Sequence, residues 1–103
     1  MEHFVFQKIT KFVFMKRKNY FTHFVKDEYK AVLNKLISIR KEKGITQFQV
    51  GERLGLSDNA YSKLENGHTK LDIERFLFIL KILNTNLKDF FEDFEDFEDF
   101  EEK

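Results

Sequence analysis

Four polar side chains in the segment GLSDNAYSKLENG (residues 55–67) have types and a spacing suited to hydrogen-bonding an extended polar surface. Asp58 and Ser62 lie four residues apart, as do Asn59 and Lys63, so a helix would place all four on one side. An Asn amide can bond bidentately to adenine, a Lys ammonium can donate to guanine, and an Asp carboxylate can accept from the amino group of cytosine. These side-chain types are suited to base edges in the major groove of DNA, and the alternative is that Asn59 and Lys63 are ordinary exposed surface residues.

Two short helices are predicted to position these side chains. Thr46 is a suitable N-cap for a helix over residues 46–54, and Gly55 suits the left-handed position that ends it. Ser57 is the N-cap of a second helix over residues 57–65. Because only two residues join the helices, the pair has the helix-turn-helix arrangement, whose second helix fits the major groove.

Hydrophobic periodicity predicts three further helices around this pair. The first ends before Gly44, and its apolar residues are Val32, Leu33, Leu36, Ile37 and Ile39. The fourth is capped by Asp72, and its core residues are Phe76, Leu77, Ile79, Leu80 and Leu83. The fifth begins at Asn86 and carries Leu87, Phe90 and Phe91, of which Phe90 and Phe91 are expected in the core. Caps and periodicity agree throughout, so the predicted fold class is all-α.

Composition divides the chain into three regions. Residues 1–26 form an aromatic and basic N-terminal extension, in which the tripeptide Phe-Val-Phe occurs twice and could form short strands. Residues 27–91 are predicted to form the helix-turn-helix DNA-binding domain. Residues 92–103 form an acidic, low-complexity tail with three tandem Glu-Asp-Phe units.

Charge is distributed unevenly although the formal net charge of the chain is zero. Residues 1–27 carry +4, residues 28–91 carry +3 and residues 92–103 carry −7. A mildly basic body joined to an acidic tail suits an anionic partner.

Several classes of function are disfavoured by the composition. The chain has no cysteine, its three histidines lack metal-ligand spacing, and its four glycines form no phosphate-binding loop. No apolar run is long enough for a membrane span, and the first residues do not resemble a secretory signal. We therefore expect no enzyme activity, no cofactor, no metal and no membrane association, and we expect a cytoplasmic location.

The run GITQFQVGERLGLSDNAYSKLENGHTKL resembles the Xre family of Cro- and phage-repressor-like helix-turn-helix regulators, over about residues 33–91. The resemblance implies a compact five-helix, lambda-repressor-like bundle that binds double-stranded operator DNA, usually as a homodimer on a pseudo-palindrome. It places a DNA-backbone contact on Gln47 and base contacts on Asp58, Asn59, Ala60 and Lys63. It places phosphate contacts on Asn66 and Lys70, with His68 between them. The predicted DNA-binding set is completed by Ser57 and Ser62.

Other residues of the same segment have mainly structural roles in this interpretation. Ser57 is a helix cap before it is a phosphate ligand, and Tyr61 and Leu64 face the core. Glu65 is expected to be a structural partner of Arg53 or of a backbone amide.

The sequence departs from the family pattern at three positions. Gly51 stands where the family usually has Ala, which costs about 0.5–1 kcal/mol of helix stability but lets the next helix approach closely. Asp58 is unusual at the start of the predicted DNA-contacting helix. Its negative charge interacts favourably with the positive end of the helix dipole but is repelled by DNA phosphate. Leu71 stands where Pro is frequent.

Three alternatives to a plain DNA-binding regulator remain open. One is an antitoxin-like DNA-binding protein whose Phe-rich tail or aromatic N-terminus binds a partner protein. Another is an interaction module in which the helix pair contacts protein only. In a third, the acidic tail competes with DNA for the basic surface.

Overall fold

The structure is a computed structural model that describes residues 21–94. Its five helices are α1 (Thr22–Glu42), α2 (Gln47–Leu54), α3 (Asp58–Glu65), α4 (Ile73–Ile82) and α5 (Leu87–Phe91). No strand occurs within these residues, and the all-α, five-helix prediction is confirmed for them. The two predicted Phe-Val-Phe strands and most of the acidic repeat lie outside the described part of the chain.

Residues 21–29 belong to one compact unit of the chain and residues 30–94 to another. In the first unit, α1 begins at Thr22, within the segment that the sequence assigned to the N-terminal extension. Val25 interrupts the helical backbone there, with φ −117° and ψ 16°. The rings of His23 and Phe24 meet edge to face with centroids 5.5 Å apart.

Four helices of the second unit begin at the predicted N-caps. The cap side-chain oxygens accept from the third helical N–H at 3.0 Å in Thr46 and Ser57 and at 2.7 Å in Asp72 and Asn86. Each such cap stabilises a helix by about 1 kcal/mol. Gln49 completes the predicted capping box, because its side chain accepts from the Thr46 amide at 2.9 Å. The capping predictions are therefore confirmed.

One apolar core joins the helices of residues 30–94. Its buried members are Leu36, Ile39, Val50, Tyr61, Leu64, Phe76, Ile79, Leu80, Leu83 and Phe90. The rings of Phe76 and Phe90 meet edge to face at 5.2 Å and so link α4 to α5. In the middle of this arrangement, α2 packs against both α3 and α4.

The core is narrower than the sequence indicates. Leu77 was expected to be buried but is 38% exposed, because it lies about 100° round the helix from Phe76, outside the stripe that faces the core. Phe91 is 39% exposed, although its ring lies 4.8 Å from that of Phe90. These two assignments to the core were wrong.

Candidate nucleic-acid interface

Gly51 allows the start of α3 to lie directly against α2. A Cβ atom at this position would lie 3.0 Å from the Leu56 carbonyl oxygen and 3.1 Å from that of Ser57. It would also lie 3.3 Å from the Tyr61 Cβ. The intervening turn is closed by Gly55, which has φ +76°, as the sequence predicted. The expected close approach at Gly51 is therefore confirmed.

The two sides of α3 differ sharply in burial. Tyr61 and Leu64 are buried in the core, as predicted, and hold the helix to the bundle. Asp58, Asn59 and Lys63 are exposed on the other side. The side chains of these three residues form no hydrogen bond or ion pair with any residue in the range 21–94, so their polar groups remain available to a ligand.

The remaining predicted contacts on α3 take part in its local structure. Ala60 and Ser62 are half-buried, and the Ala60 amide donates to the cap oxygen of Ser57. Ser62 accepts at 3.3 Å from the side-chain amide of Asn66, the C-cap of α3. Ser57 and Asn66, two of the predicted phosphate contacts, are thereby held at the two ends of the helix that carries the predicted base contacts.

The loop after α3 folds back onto the end of that helix. The amide of His68 donates to the Lys63 carbonyl at 2.9 Å, and the amide of Thr69 donates to the same oxygen at 3.2 Å. The side chains of His68 and Lys70 are exposed in this loop. His68 therefore lies next to Lys63 in space as well as in sequence, and Lys70 follows it in the same loop.

A buried ion pair between α1 and α3 lies behind this surface. The Arg40 Nε donates to the Glu65 Oε2 at 2.6 Å, and the Arg40 Nη2 donates to the Glu65 Oε1 at 3.1 Å. A third donor, the Gln47 Nε2, reaches the Glu65 Oε1 at 3.0 Å. The Arg40 Nη1 also donates to the Ile45 carbonyl at 2.9 Å. Gln47, the predicted contact to the DNA backbone, is thus hydrogen-bonded to a buried residue of the bundle.

The partner of Glu65 was predicted incorrectly. Its structural role was expected, but the partner is Arg40 rather than Arg53 or a backbone amide. Arg40 was missed although its position carried a signal, because it follows Leu33 and Leu36 at i+7 and i+4 on the buried stripe of α1. A charged residue on such a stripe requires a buried partner.

Tyr61 lies beside this ion pair. Burial, followed by the charge of the nearby Glu65 carboxylate, raises the pKa of Tyr61 far above its usual value of 10.0. Its hydroxyl makes no hydrogen bond of ordinary geometry within the described residues. The phenol therefore stays protonated, and Tyr61 acts as a packing residue of the core rather than as a proton donor or acceptor.

An open cleft between the first turns of α2 and α3 brings together residues from three helices. We call it the α2–α3 cleft, and its lining includes Lys41, Gln47, Phe48 and Asp58. Phe48 was not singled out from the sequence, yet it is 58% exposed at the second position of α2. The cleft places Gln47, a predicted DNA-backbone contact, next to Asp58, the first predicted base contact.

Metal-binding clusters and membrane-spanning helices are absent from residues 21–94. No group of three or more His, Asp or Glu side chains there is arranged to hold a metal ion. None of the five helices combines the length and the apolar character required to cross a membrane.

Comparison with known proteins assigns the same region to one family. A family model described as helix-turn-helix matches residues 36–90, which is more than half of the chain. The matched segment begins in α1, contains all of α2, α3 and α4, and reaches into α5. No curated protein and no solved structure matches the chain significantly.

Proposed function

The chain belongs to the Cro/C1-type, Xre-like helix-turn-helix family of DNA-binding regulators, and from this premise we propose that it is a sequence-specific transcriptional regulator. In this proposal, it binds double-stranded operator DNA as a homodimer in the cytoplasm. Bound protein then blocks or recruits RNA polymerase.

The division of α3 into a buried side and an exposed side is the observation that carries the proposal. An α-helix fits into the major groove, and Asn and Lys are among the side chains that hydrogen-bond base edges there. Asn59 and Lys63 are exposed and have no partner within the described residues. We infer that α3 enters the groove and contacts bases through these two residues and Asp58.

Phosphate contacts would set the position of α3 on the duplex. The first turn of α2 carries the positive end of a helix dipole, and Gln47 lies in that turn. Asn66, His68 and Lys70 follow α3 and would contact the backbone on its other side. Such contacts determine register and much of the affinity, whereas base contacts determine the sequence that is bound.

The exposed apolar side chains of α4 and α5 support a protein contact in addition to DNA. Large side chains of this kind that are more than a third exposed are Ile73, Leu77, Phe78, Leu87 and Phe91. Ile73 and Leu77 are neighbours at i and i+4 on α4, and adjoining exposed apolar side chains of this kind can form a protein interaction surface. We assign it to a second copy of the chain, because a two-fold symmetric protein matches a pseudo-palindromic operator.

A fluorescence titration of the full chain tests the proposed function. The probes are labelled duplexes of the DNA upstream of its own coding sequence and a scrambled duplex of equal length. We expect tighter binding to the upstream DNA, and an affinity that falls about a thousandfold between 50 and 200 mM salt if about six phosphates are neutralised. Absent binding, or binding independent of salt, would refute the proposal.

A further inference from the structure

Asp58 is the one acidic residue at the base-contacting positions of α3. It is the first residue of the helix, and its side chain is exposed. It forms no ion pair and accepts no hydrogen bond within residues 21–94, so both carboxylate oxygens keep their accepting capacity. An unpaired carboxylate on a surface that must approach phosphate raises the electrostatic energy of the complex unless a specific donor faces it.

The major groove offers few donors that an acceptor-only group can use. Cytosine presents its N4 amino group there, whereas guanine presents only acceptors in N7 and O6. Adenine presents an amino donor beside the N7 acceptor, which repels a carboxylate, and thymine presents an acceptor and a methyl group. A carboxylate therefore discriminates in favour of cytosine and against the other three bases.

The neighbours of Asp58 determine which base it can reach. It lines the α2–α3 cleft together with Gln47 and Phe48, next to the first turn of α2. Lys63 lies five residues further along α3, a helix rise of about 7.5 Å. This distance corresponds to about two base-pair steps of 3.4 Å. If α3 lies along the groove, Asp58 would therefore face the base nearest a phosphate bound at Gln47, and Lys63 would face a base about two pairs away.

We propose that Asp58 determines specificity by selecting a cytosine at the base position nearest the phosphate bound by the first turn of α2. This inference rests on the proposed function and adds the identity of one base in each half-site. Asp58 lies in the first turn of α3, where the positive end of the helix dipole favours a negatively charged side chain. The cost of its charge near phosphate is offset only where cytosine supplies the donor.

Selection of bound duplexes from a random pool tests this assignment. The full chain is used as wild type and as the variants Asp58→Asn and Asp58→Ala. Glu74→Gln serves as a matched control, because it removes an exposed carboxylate from the first turn of another helix. Each variant is checked by its circular dichroism melt, and binding constants are then measured for the four bases at the selected position.

The wild type should lose about 10- to 100-fold in affinity when the cytosine is replaced. In Asp58→Ala this preference should fall below about threefold at that position while the other positions keep theirs. Asp58→Asn should change the preference from cytosine to adenine, because an amide pairs with adenine N6 and N7. Glu74→Gln should retain the wild-type preference.

Two outcomes overturn the inference while leaving the proposed function intact. One is an unchanged base preference in both Asp58 variants. The other is a uniform gain of affinity for all sequences, which would make Asp58 a source of repulsion only. Failure of the wild-type chain to enrich any sequence would instead refute the proposed function itself.

Discussion

At the scale of single residues, exposed polar side chains on α3 are separated from the buried polar side chains that support them. Asn59 and Lys63 have no partner within the described residues, whereas Glu65, two residues after Lys63, accepts three hydrogen bonds. The first group is free to bind a ligand, and the second links α3 to α1 and α2 through hydrogen bonds. Substitutions in the two groups should therefore have different consequences.

Removing the exposed pair should weaken DNA binding without weakening the fold. We expect Asn59→Ala and Lys63→Ala each to reduce discrimination by about 1–3 kcal/mol at one base position. Thermal unfolding should change little, because neither side chain has a hydrogen bond or ion pair to lose within the described residues. Titration against selected and mismatched duplexes measures the effect, and Lys81→Ala on α4 is the charge-matched control. Equal losses in Lys63→Ala and Lys81→Ala would contradict a base contact.

Breaking the buried ion pair between Arg40 and Glu65 should instead lower the stability of the fold. We expect Glu65→Ala to lower the free energy of unfolding by about 3–5 kcal/mol, because Arg40 is left buried and unpaired. Urea denaturation measures this loss.

A double variant separates the stabilising role of the pair from its positioning role. In Arg40→Met with Glu65→Leu, we expect most of the stability to return, since no unpaired charge remains. DNA affinity should stay reduced, because Gln47 loses the carboxylate that holds it. Full recovery of both stability and affinity would show that the Glu65 contact to Gln47 is irrelevant to DNA binding.

At the scale of elements, the spacing between α2 and α3 depends on one missing methyl group. The backbone oxygens of Leu56 and Ser57 lie 3.0 Å and 3.1 Å from the position of a Cβ on Gly51. Backbone atoms cannot rotate away as the end of a side chain can. A larger residue must therefore displace the turn and with it the start of α3.

Gly51→Val should consequently affect both stability and function. We expect a loss of about 1–3 kcal/mol in the free energy of unfolding, from overpacking. DNA affinity should fall further than this loss of stability alone would explain, because Asp58 and Asn59 shift relative to Gln47. Glu52→Val, at the next and exposed position of α2, controls for the low helix propensity of Val. If the two variants behave alike, close packing at Gly51 is unimportant.

At the scale of the whole molecule, the charge asymmetry bears on DNA binding. The described start of the acidic tail packs against the helical body. The ring centroids of Phe94 and Phe90 lie 5.6 Å apart. The Asp93 Oδ2 pairs with the Lys35 Nζ at 3.3 Å. A truncation that tests the acidic repeat should therefore follow Phe94, so that these contacts are kept.

Removing residues 95–103 takes away a net charge of −5. If this segment competes with DNA for the basic surface, the truncated chain should bind operator DNA more tightly, and the gain should shrink as salt is raised. A full-length variant with Gln and Asn in place of the acids in this segment should show the same gain. Unchanged affinity at low salt would exclude competition by the tail.

Much of this fold and of its candidate site follows from local sequence. An N-cap side chain accepts a hydrogen bond from an amide only three residues further on. A glycine at positive φ ends the helix that immediately precedes it. The sequence alone therefore predicted four N-caps, the end of α2 at Gly55 and the exposed polar positions of α3. The resemblance to a known family added the expected contact at Gln47, which local patterns do not predict.

Only the tertiary structure decided the relations between distant residues. Arg40 and Glu65 are separated by 25 positions, and no local rule pairs them. Leu77 and Phe91 are exposed because the side of each helix that packs against the core is narrower than the run of apolar residues in its sequence. Asp58 acquired its neighbours Gln47 and Phe48 in the same way, through the approach of α3 to α2 at Gly51. The local sequence determines where each helix begins and ends and which side chains it carries. The packing of one helix on another determines which of those side chains come into contact.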